Sequence, residues 1–122
     1  MMKILVIEDD EFFRDAIRDL LERKKYTVFT AYNGKTAKEI LSVQSVDIVL
    51  SDMNMPGGSG IELLEWSNAF RPVPFIMMTG FSQPFETKTA LEKGVKEFIT
   101  KPFKDVELFV SIVRILGIEH DG

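Results

Sequence analysis

The chain has 122 residues, enough for one compact domain and too few for two, so we expect residues 1–122 to form a single domain. Hydrophobic residues make up 45% of the chain and charged residues 28%, which is typical of a globular protein and excludes the disordered and fibrous classes. Fifteen basic against nineteen acidic residues give a net charge of −4, which argues against direct binding of nucleic acid, because that binding depends on neutralising phosphates.

Short apolar runs alternate with longer segments of helical periodicity, a pattern that predicts a parallel sheet with helices on both faces. The predicted strands are residues 3–7, 27–31, 47–51, 75–78 and 97–100. The predicted helices are residues 12–23, 35–43, 60–68, 85–93 and 106–116. Asn33, Ser59 and Asp105 are expected to be N-caps. Each strand is too apolar to leave one face in water, so we expect a doubly wound α/β fold whose ligands bind at the carboxyl ends of the strands.

The first predicted helix begins with two phenylalanines that differ in position. Phe13 lies on an apolar stripe with Ala16, Ile17 and Leu20, so we expect it to pack in the core. Phe12 lies about 100° round the helix and is expected to be partly exposed. An exposed phenylalanine at this end of the helix is a candidate contact for a partner protein.

The fifth predicted helix carries more apolar residues than one buried face requires. The stripe expected to face the sheet contains Val106, Phe109, Val110, Val113 and Leu116. Leu108 and Ile115 lie nearly opposite and, flanked by Ile112, are expected to form an exposed apolar strip for a partner or a symmetric dimer. The fourth helix, around residues 87–91, has few apolar anchors and is expected to shift most easily.

The reactive side chains are limited in kind. The chain has no cysteine, which excludes disulfides, thiolate nucleophiles and cysteine-bound metals. Its one histidine, His120, lies in residues 117–122, which we expect to be a frayed tail. The remaining groups favour phosphate chemistry or a site for Mg²⁺ or Ca²⁺. We find no signal peptide and no membrane span in the sequence, and we expect a cytoplasmic protein that does not bind membranes.

Carboxylates follow two of the predicted strands. Glu8 and Asp9 come directly after the first strand, and Asp52 follows the third. Like charges that converge at one sheet edge raise one another's pKa unless a cation intervenes, and an oxygen-only set suits Mg²⁺. Asp10 and Glu11 are better explained as the acidic start of a helix.

A hydroxyl and a lysine follow the fourth and fifth predicted strands, at the same edge. Thr79 ends the fourth strand, and Lys101 follows the fifth. A carboxylate nucleophile, a metal site and donors for the remaining phosphate oxygens are what phosphoryl transfer to an aspartate requires. The joint occurrence at four strand ends is therefore a strong signal for that chemistry.

These residues resemble the receiver domain of two-component response regulators, and the resemblance covers nearly the whole chain. Glu8 and Asp9 correspond to the acidic pair of that family, and Asp52 to its phosphoacceptor aspartate. Residues 52–60, DMNMPGGSG, resemble the family's signature loop. Lys101 corresponds to the lysine of the family's site.

The resemblance implies a flavodoxin-like sheet with strand order 2-1-3-4-5. It also implies phosphorylation of Asp52 with Mg²⁺ as cofactor, held by Glu8, Asp9, Asp52 and the backbone carbonyl of Asn54. The Lys101–Pro102 bond is expected to be cis. Such a domain catalyses only its own phosphorylation and dephosphorylation, and its phosphodonor is a sensor histidine kinase or a histidine phosphotransfer protein.

The resemblance further implies a switch made of Thr79 and Phe98. Phosphorylation is expected to draw the Thr79 hydroxyl inward and to let Phe98 fill the vacated space. Because Phe98 has no hydroxyl to hold it at the surface, we expect its inward rotamer to be populated without phosphate. Gly80 stands where many relatives have alanine, which is expected to loosen the loop. The output surface is expected to comprise the fourth helix, fifth strand and fifth helix.

Three other readings fit less well. An EF-hand beginning at Asp52 would place Pro56 and Leu63 where an oxygen ligand and a bidentate glutamate are needed. A haloacid-dehalogenase-type phosphatase needs an aspartate where Asn54 stands. A flavodoxin-like flavin carrier needs a phosphate-binding loop where the first loop is acidic. Within the receiver reading, a free-standing regulator and a piece of a longer protein with an output domain remain equally open.

Overall fold

The computed structural model describes residues 2–55, 58–80 and 84–117. In this part of the chain, five parallel strands form one sheet in which the strands, counted along the chain, lie in the order 2-1-3-4-5, as the resemblance implied. The strands are β1 (Lys3–Ile7), β2 (Thr27–Ala31), β3 (Ile48–Asp52), β4 (Phe75–Thr79) and β5 (Glu97–Thr100). The predicted frayed tail beyond residue 117, with His120, lies outside the described residues, as do Pro56 and Gly57 of the signature loop.

The described residues also form five helices that alternate with these strands. They are α1 (Glu11–Arg23), α2 (Gly34–Val43), α3 (Gly60–Phe70), α4 (Pro84–Glu92) and α5 (Asp105–Leu116). The predicted strands and helices are therefore confirmed, with ends that differ by two residues at most. Among the described parts of the chain, none of these helices is long and apolar enough to cross a membrane.

Two of the three predicted N-caps are confirmed. The side chain of Asn33 accepts a hydrogen bond from the Thr36 N–H at 2.8 Å, and Ser59 caps α3 in the same way. The prediction of Asp105 was wrong, since Lys104 is the N-cap of α5. Glu107 lies three residues after Lys104, and its Oε1 accepts the Lys104 N–H at 2.7 Å, so the helix begins one residue earlier.

A short antiparallel hairpin joins β3 to α3 and was not predicted. It pairs Asn54–Met55 with Gly58–Ser59. Strands of two residues are too short to show an alternating pattern in the sequence.

The sheet separates two hydrophobic cores. Alternate residues of β1 point to opposite faces, so Ile4 and Val6 pack with α1 and α5, whereas Leu5 and Ile7 pack with α2 and α3. Burial on both faces explains the unbroken apolar runs of the central strands. The prediction fails for both edge strands: the first four residues of β2 are only half-buried, and Ile99 is the one buried residue of β5.

The predicted orientation of α5 was wrong for the strip of Leu108 and Ile115, whereas Phe109 and Leu116 of the predicted stripe do pack against the core. Leu108 and Ile112 are fully buried, and Ile115 packs against the same core, whereas Val106 is 60% and Val110 44% exposed. Both faces of α5 are apolar, so periodicity does not decide between them. Its polar residues do: Ser111 is buried against β5, and Arg114 Nη1 lies 2.8 Å from Glu97 Oε1. We call Val106, Val110 and Val113 the outer face of α5.

Three helices in the described part of the chain end with a residue in the left-handed region, and after α5 this residue is Gly117, with φ of 68°. After α4 this residue is Gly94, with φ of 99°, and after α1 it is Lys25, with φ of 73°. At the end of α1 the N–H groups of Lys25 and Tyr26 donate to the carbonyls of Glu22 and Leu21, which is the Schellman arrangement. Glycine adopts this conformation without steric cost and lysine does not.

Candidate functional site

Glu8 is a buried carboxylate at the carboxyl end of β1. The backbone N–H of Glu8 donates to the Ala31 carbonyl in β2 at 3.0 Å, which fixes the position of Glu8 beside the sheet. Glu8 is 1% exposed. Its Oε2 accepts the Asp10 N–H at 3.1 Å. Burial raises the pKa of the Glu8 carboxyl above its ordinary value, the hydrogen bond from Lys101 opposes that shift, and the Asp52 charge adds to it.

Three carboxylates meet at this edge, as predicted. Glu8, Asp9 and Asp52 each offer one carboxylate oxygen, and these oxygens lie within 4.8 Å of one another. Asp52 is the last residue of β3, and its side chain is 13% exposed. A set of hard oxygen donors with negative charge in excess suits Mg²⁺, so the residues present fit that ion.

Lys101 brings a cation to the same carboxylates. Its Nζ lies 2.5 Å from Glu8 Oε1 and 3.3 Å from Asp52 Oδ2, and its side chain is 24% exposed. Burial by itself lowers the pKa of Lys101, but the Glu8 and Asp52 carboxylates together raise it above its ordinary value. We call the carboxylates of Glu8, Asp9 and Asp52 with the Lys101 ammonium the acidic pocket. The Lys101–Pro102 bond is cis, which confirms that expectation.

Thr79 lies at the same edge, at the end of the neighbouring strand β4. It is 6% exposed, it stands opposite Thr100 in the register with β5, and its carbonyl accepts the Lys101 N–H at 2.7 Å. The backbone N–H of Asn54 lies 3.4 Å from Asp52 Oδ1. The structure thus brings Thr79 and Asn54 to the edge that holds Asp52; the role of the Asn54 carbonyl as a metal ligand stays a prediction.

Phe98, the predicted aromatic switch, is half-buried in β5. It packs against the core that β1 shares with α2 and α3. Of the two phenylalanines of α1, Phe13 is half-buried against the other core, and Phe12 is 90% exposed, more than the partial exposure expected. Asp10 is the N-cap of α1 and accepts the Phe13 N–H at 3.1 Å, so its interpretation as a helix start is confirmed.

Two residues that hold the pocket in shape were not singled out from the sequence. A Cβ on Gly60 would lie 2.7 Å from the backbone oxygen of Asp52 and 2.9 Å from Met77 Sδ, so only glycine lets α3 begin this close to the acceptor. Arg14 Nη1 donates to the Glu8 carbonyl at 2.9 Å. The glycine-rich signature loop pointed to the region of Gly60, but nothing in the sequence marks the contact of Arg14.

Comparison with known proteins identifies close relatives over the whole described fold. The family model described as the response regulator receiver domain matches residues 4–113. The chain is 33% identical over 120 residues to the transcriptional regulatory protein CpxR of Escherichia coli (strain K12), covering 98% of this chain and 51% of CpxR. It is 33% identical over 119 residues to protein CcdB of Bacillus subtilis (strain 168), covering 96% of this chain and 99% of CcdB. The chain spans about half the length of the first curated relatives it matches.

Solved structures agree with this grouping. A CheY-like response regulator receiver domain protein from Methanospirillum hungatei JF-1 matches with a TM-score of 0.91 and 27% identity, covering 100% of this chain and 99% of that one. The receiver domain of a signal transduction histidine kinase from Syntrophus aciditrophicus matches with a TM-score of 0.86 and 33% identity, covering 96% and 91%.

Proposed function

Because the chain belongs to the response regulator receiver family of two-component signalling, we propose that Asp52 accepts a phosphoryl group from a sensor histidine kinase or a histidine phosphotransfer protein. The observation that carries the proposal is the acidic pocket itself. It combines a nearly buried carboxylate with an ammonium at 3.3 Å and two further carboxylates that complete a set of metal ligands.

The proposed reaction needs no side-chain base, because ionised Asp52 is already a nucleophile. A carboxylate oxygen of Asp52 attacks the phosphorus, the P–N bond of the phosphohistidine breaks, and its electron pair leaves with the imidazole. Lys101 and the Thr79 hydroxyl bind the transferring oxygens, so the domain contributes positioning and charge stabilisation. Hydrolysis of the acyl phosphate ends the signal, and these two reactions on itself are all the catalysis we assign to it.

Mg²⁺ is the proposed cofactor. Glu8, Asp9, Asp52 and the Asn54 carbonyl would hold it, and when bound it neutralises charge on the transferring phosphoryl oxygens. Since like charges of the three carboxylates repel one another, a divalent cation at this point also relieves the cost of bringing them together.

The proposed output is a change in a protein-binding surface formed by α4, β5 and α5. The phosphoryl group adds a charge of about −1.5 to −2, and a hydrogen bond from Thr79 to it vacates space for Phe98. Apolar surface on this side includes Val106 and Val110 of the outer face of α5, and a groove of about 290 Å³ between β5 and α5 is lined by both valines and by Phe98. A downstream protein or a second copy of the chain is the proposed partner. A cytoplasmic location stays a prediction.

Phe12 is the proposed contact for the phosphodonor protein. It opens α1 beside the acidic pocket and is 90% exposed. Replacing Phe12 with alanine should slow transfer from a phosphohistidine protein about tenfold, the effect of an ordinary interface anchor. Acetyl phosphate is too small to reach Phe12 while it reacts, so an equal loss with both donors contradicts the docking role.

The phosphoacceptor assignment is tested by mass spectrometry. Incubation with Mg²⁺ and acetyl phosphate should add one phosphoryl mass to the parent protein and none to Asp52→Asn. Asp19→Asn, which removes an exposed carboxylate of α1, is the matched control and should be modified like the parent. An acid-labile phosphate that persists in Asp52→Asn would place the acceptor elsewhere.

A further inference from the structure

The ring of Phe13 lies beside the ammonium of Lys101. Lys101 Nζ is 4.9 Å from the ring centroid, within the range of a cation–π contact. The same nitrogen contacts Glu8 and Asp52, so the ammonium is bounded by two carboxylates and one aromatic face.

One contact holds the ring and another holds the backbone that carries it. Its neighbour is Phe103, whose centroid lies 5.6 Å away with an interplanar angle of 62°, an edge contact. The backbone N–H of Phe13 donates to the capping Asp10 at 3.1 Å, which fixes the start of α1. Phe103 follows Lys101 by two residues, so the ring contacts both the lysine and the loop that carries it.

An aromatic partner differs from a carboxylate in one respect that matters for phosphoryl transfer. Glu8 and Asp52 are also metal ligands and nucleophile in the proposed function, and a bound cation or phosphoryl group competes with Lys101 for their oxygens. The ring attracts the ammonium through its quadrupole. Because the ring has no net charge, a bound cation or phosphoryl group does not compete with Lys101 for it. Lysine has a long flexible stem, and an orienting contact that persists through the reaction limits its other rotamers.

We propose that Phe13 is a positioning residue that holds the Lys101 ammonium over the acidic pocket during phosphoryl transfer to Asp52. The proposal rests on the proposed function of Asp52, and it assigns to Phe13 a role in addition to core packing. Phe13 does not touch the reacting atoms and acts through Lys101.

Two replacements separate the ring from the bulk of the side chain. Phe13→Leu keeps an apolar side chain and removes the aromatic face, and Phe13→Tyr keeps the ring. The matched control is Trp66→Leu on α3, outside the pocket. It removes an aromatic ring whose centroid lies 5.8 Å from Lys38 Nζ. All variants are compared for melting temperature, for Mg²⁺ affinity, and for the rate of phosphorylation by acetyl phosphate at saturating Mg²⁺.

Phe13→Leu should phosphorylate about tenfold more slowly, the loss expected for a partly desolvated cation–π contact. Because the rates are compared at saturating Mg²⁺, a change in Mg²⁺ affinity does not account for this loss. Phe13→Tyr should restore the rate, and Trp66→Leu should keep it. If Phe13 acts only in core packing, Phe13→Leu should lower the melting temperature without a specific loss of phosphorylation rate.

Nuclear magnetic resonance of the Lys101 side chain gives a readout that does not depend on phosphorylation. The ε-methylene protons, assigned by their loss in Lys101→Arg, should be shifted upfield by the ring in the parent and in Phe13→Tyr, and should return to ordinary lysine values in Phe13→Leu. Unchanged resonances, a parental rate in Phe13→Leu, or an equal loss in Phe13→Tyr overturns the proposal. If the parent is not phosphorylated, the proposed function fails, and these resonances still decide whether Phe13 holds Lys101.

Discussion

The acidic pocket consists of charged groups, whereas the outer face of α5 consists of apolar side chains. In the pocket, Glu8 is 1% exposed and Lys101 lies within 3.3 Å of two carboxylates, at strand ends that backbone hydrogen bonds hold in register. On the outer face of α5, Val106 and Val110 are 60% and 44% exposed. The comparison teaches that the pocket concentrates charge where atoms have little room to move, whereas the outer face offers apolar area that contributes little to folding.

The largest expected effect separates the two faces of α5. Leu108→Ala removes a fully buried side chain and should lower the free energy of unfolding by about 2–5 kcal/mol, because it loses transfer energy and leaves a cavity. Val110→Ala, on the outer face, should change it by about 0.5 kcal/mol or less. Urea unfolding of both variants measures this difference. Equal losses would mean that the orientation of α5 differs from the one described.

Metal binding should stabilise the pocket and leave the outer face of α5 unaffected. At a Mg²⁺ concentration about 100 times its dissociation constant, the gain should be about 2.7 kcal/mol, visible as a rise in melting temperature. Asp9→Asn removes one ligand and should lose most of this rise, while Val110→Ala should keep it. A rise that survives in Asp9→Asn would show that Mg²⁺ binds elsewhere.

Gly60→Ala tests how closely α3 packs on the acceptor strand. The added Cβ would lie 2.7 Å from a backbone oxygen of Asp52, which cannot move without disturbing β3, so we expect a loss of about 1–3 kcal/mol. Gly34→Ala is the matched control, because a Cβ on Gly34, also at the start of a helix, has no heavy atom within 4 Å. Denaturant unfolding compares the two, and equal stability of both variants would contradict the close approach.

The smallest effect is expected at Gly80, beside the pocket. A Cβ there has open space, so Gly80→Ala should be neutral or should stabilise by about 0.4–1 kcal/mol through the unfolded state. The methyl group should also narrow access to a phosphoryl group on Asp52 and lengthen its lifetime, which loss of phosphoprotein with time would measure. A shortened lifetime would refute the idea that Gly80 opens this loop.

The pocket could be predicted from the sequence because strand ends are located by short apolar runs. Once Glu8, Asp52, Thr79 and Lys101 were assigned to the ends of parallel strands, the sheet geometry placed them at one edge. The resemblance to the receiver family added the cis bond after Lys101, which no pattern of polarity indicates.

The rest depended on contacts between segments distant in sequence. The rotation of α5 about its axis is set by the contacts of Ser111 and Arg114 with Glu97. It could not be predicted from hydrophobic periodicity, because both faces of α5 are apolar. The need for glycine at position 60 comes from a strand that ends eight residues earlier in the chain and from Met77 on β4. The position of the Phe13 ring over Lys101 likewise requires the two ends of the chain to be brought together.

The left-handed Lys25 at the end of α1 makes the protein less stable than its fold allows. A lysine in this conformation costs about 1 kcal/mol relative to glycine, and Gly94 shows the same helix ending with that cost removed. The strain lies at the end of α1 remote from the acidic pocket, since α1 begins beside the pocket and ends at Arg23. Lys25→Gly therefore gives a stabilised background protein. Destabilising variants such as Gly60→Ala can be made in this background and remain folded while their phosphorylation is measured.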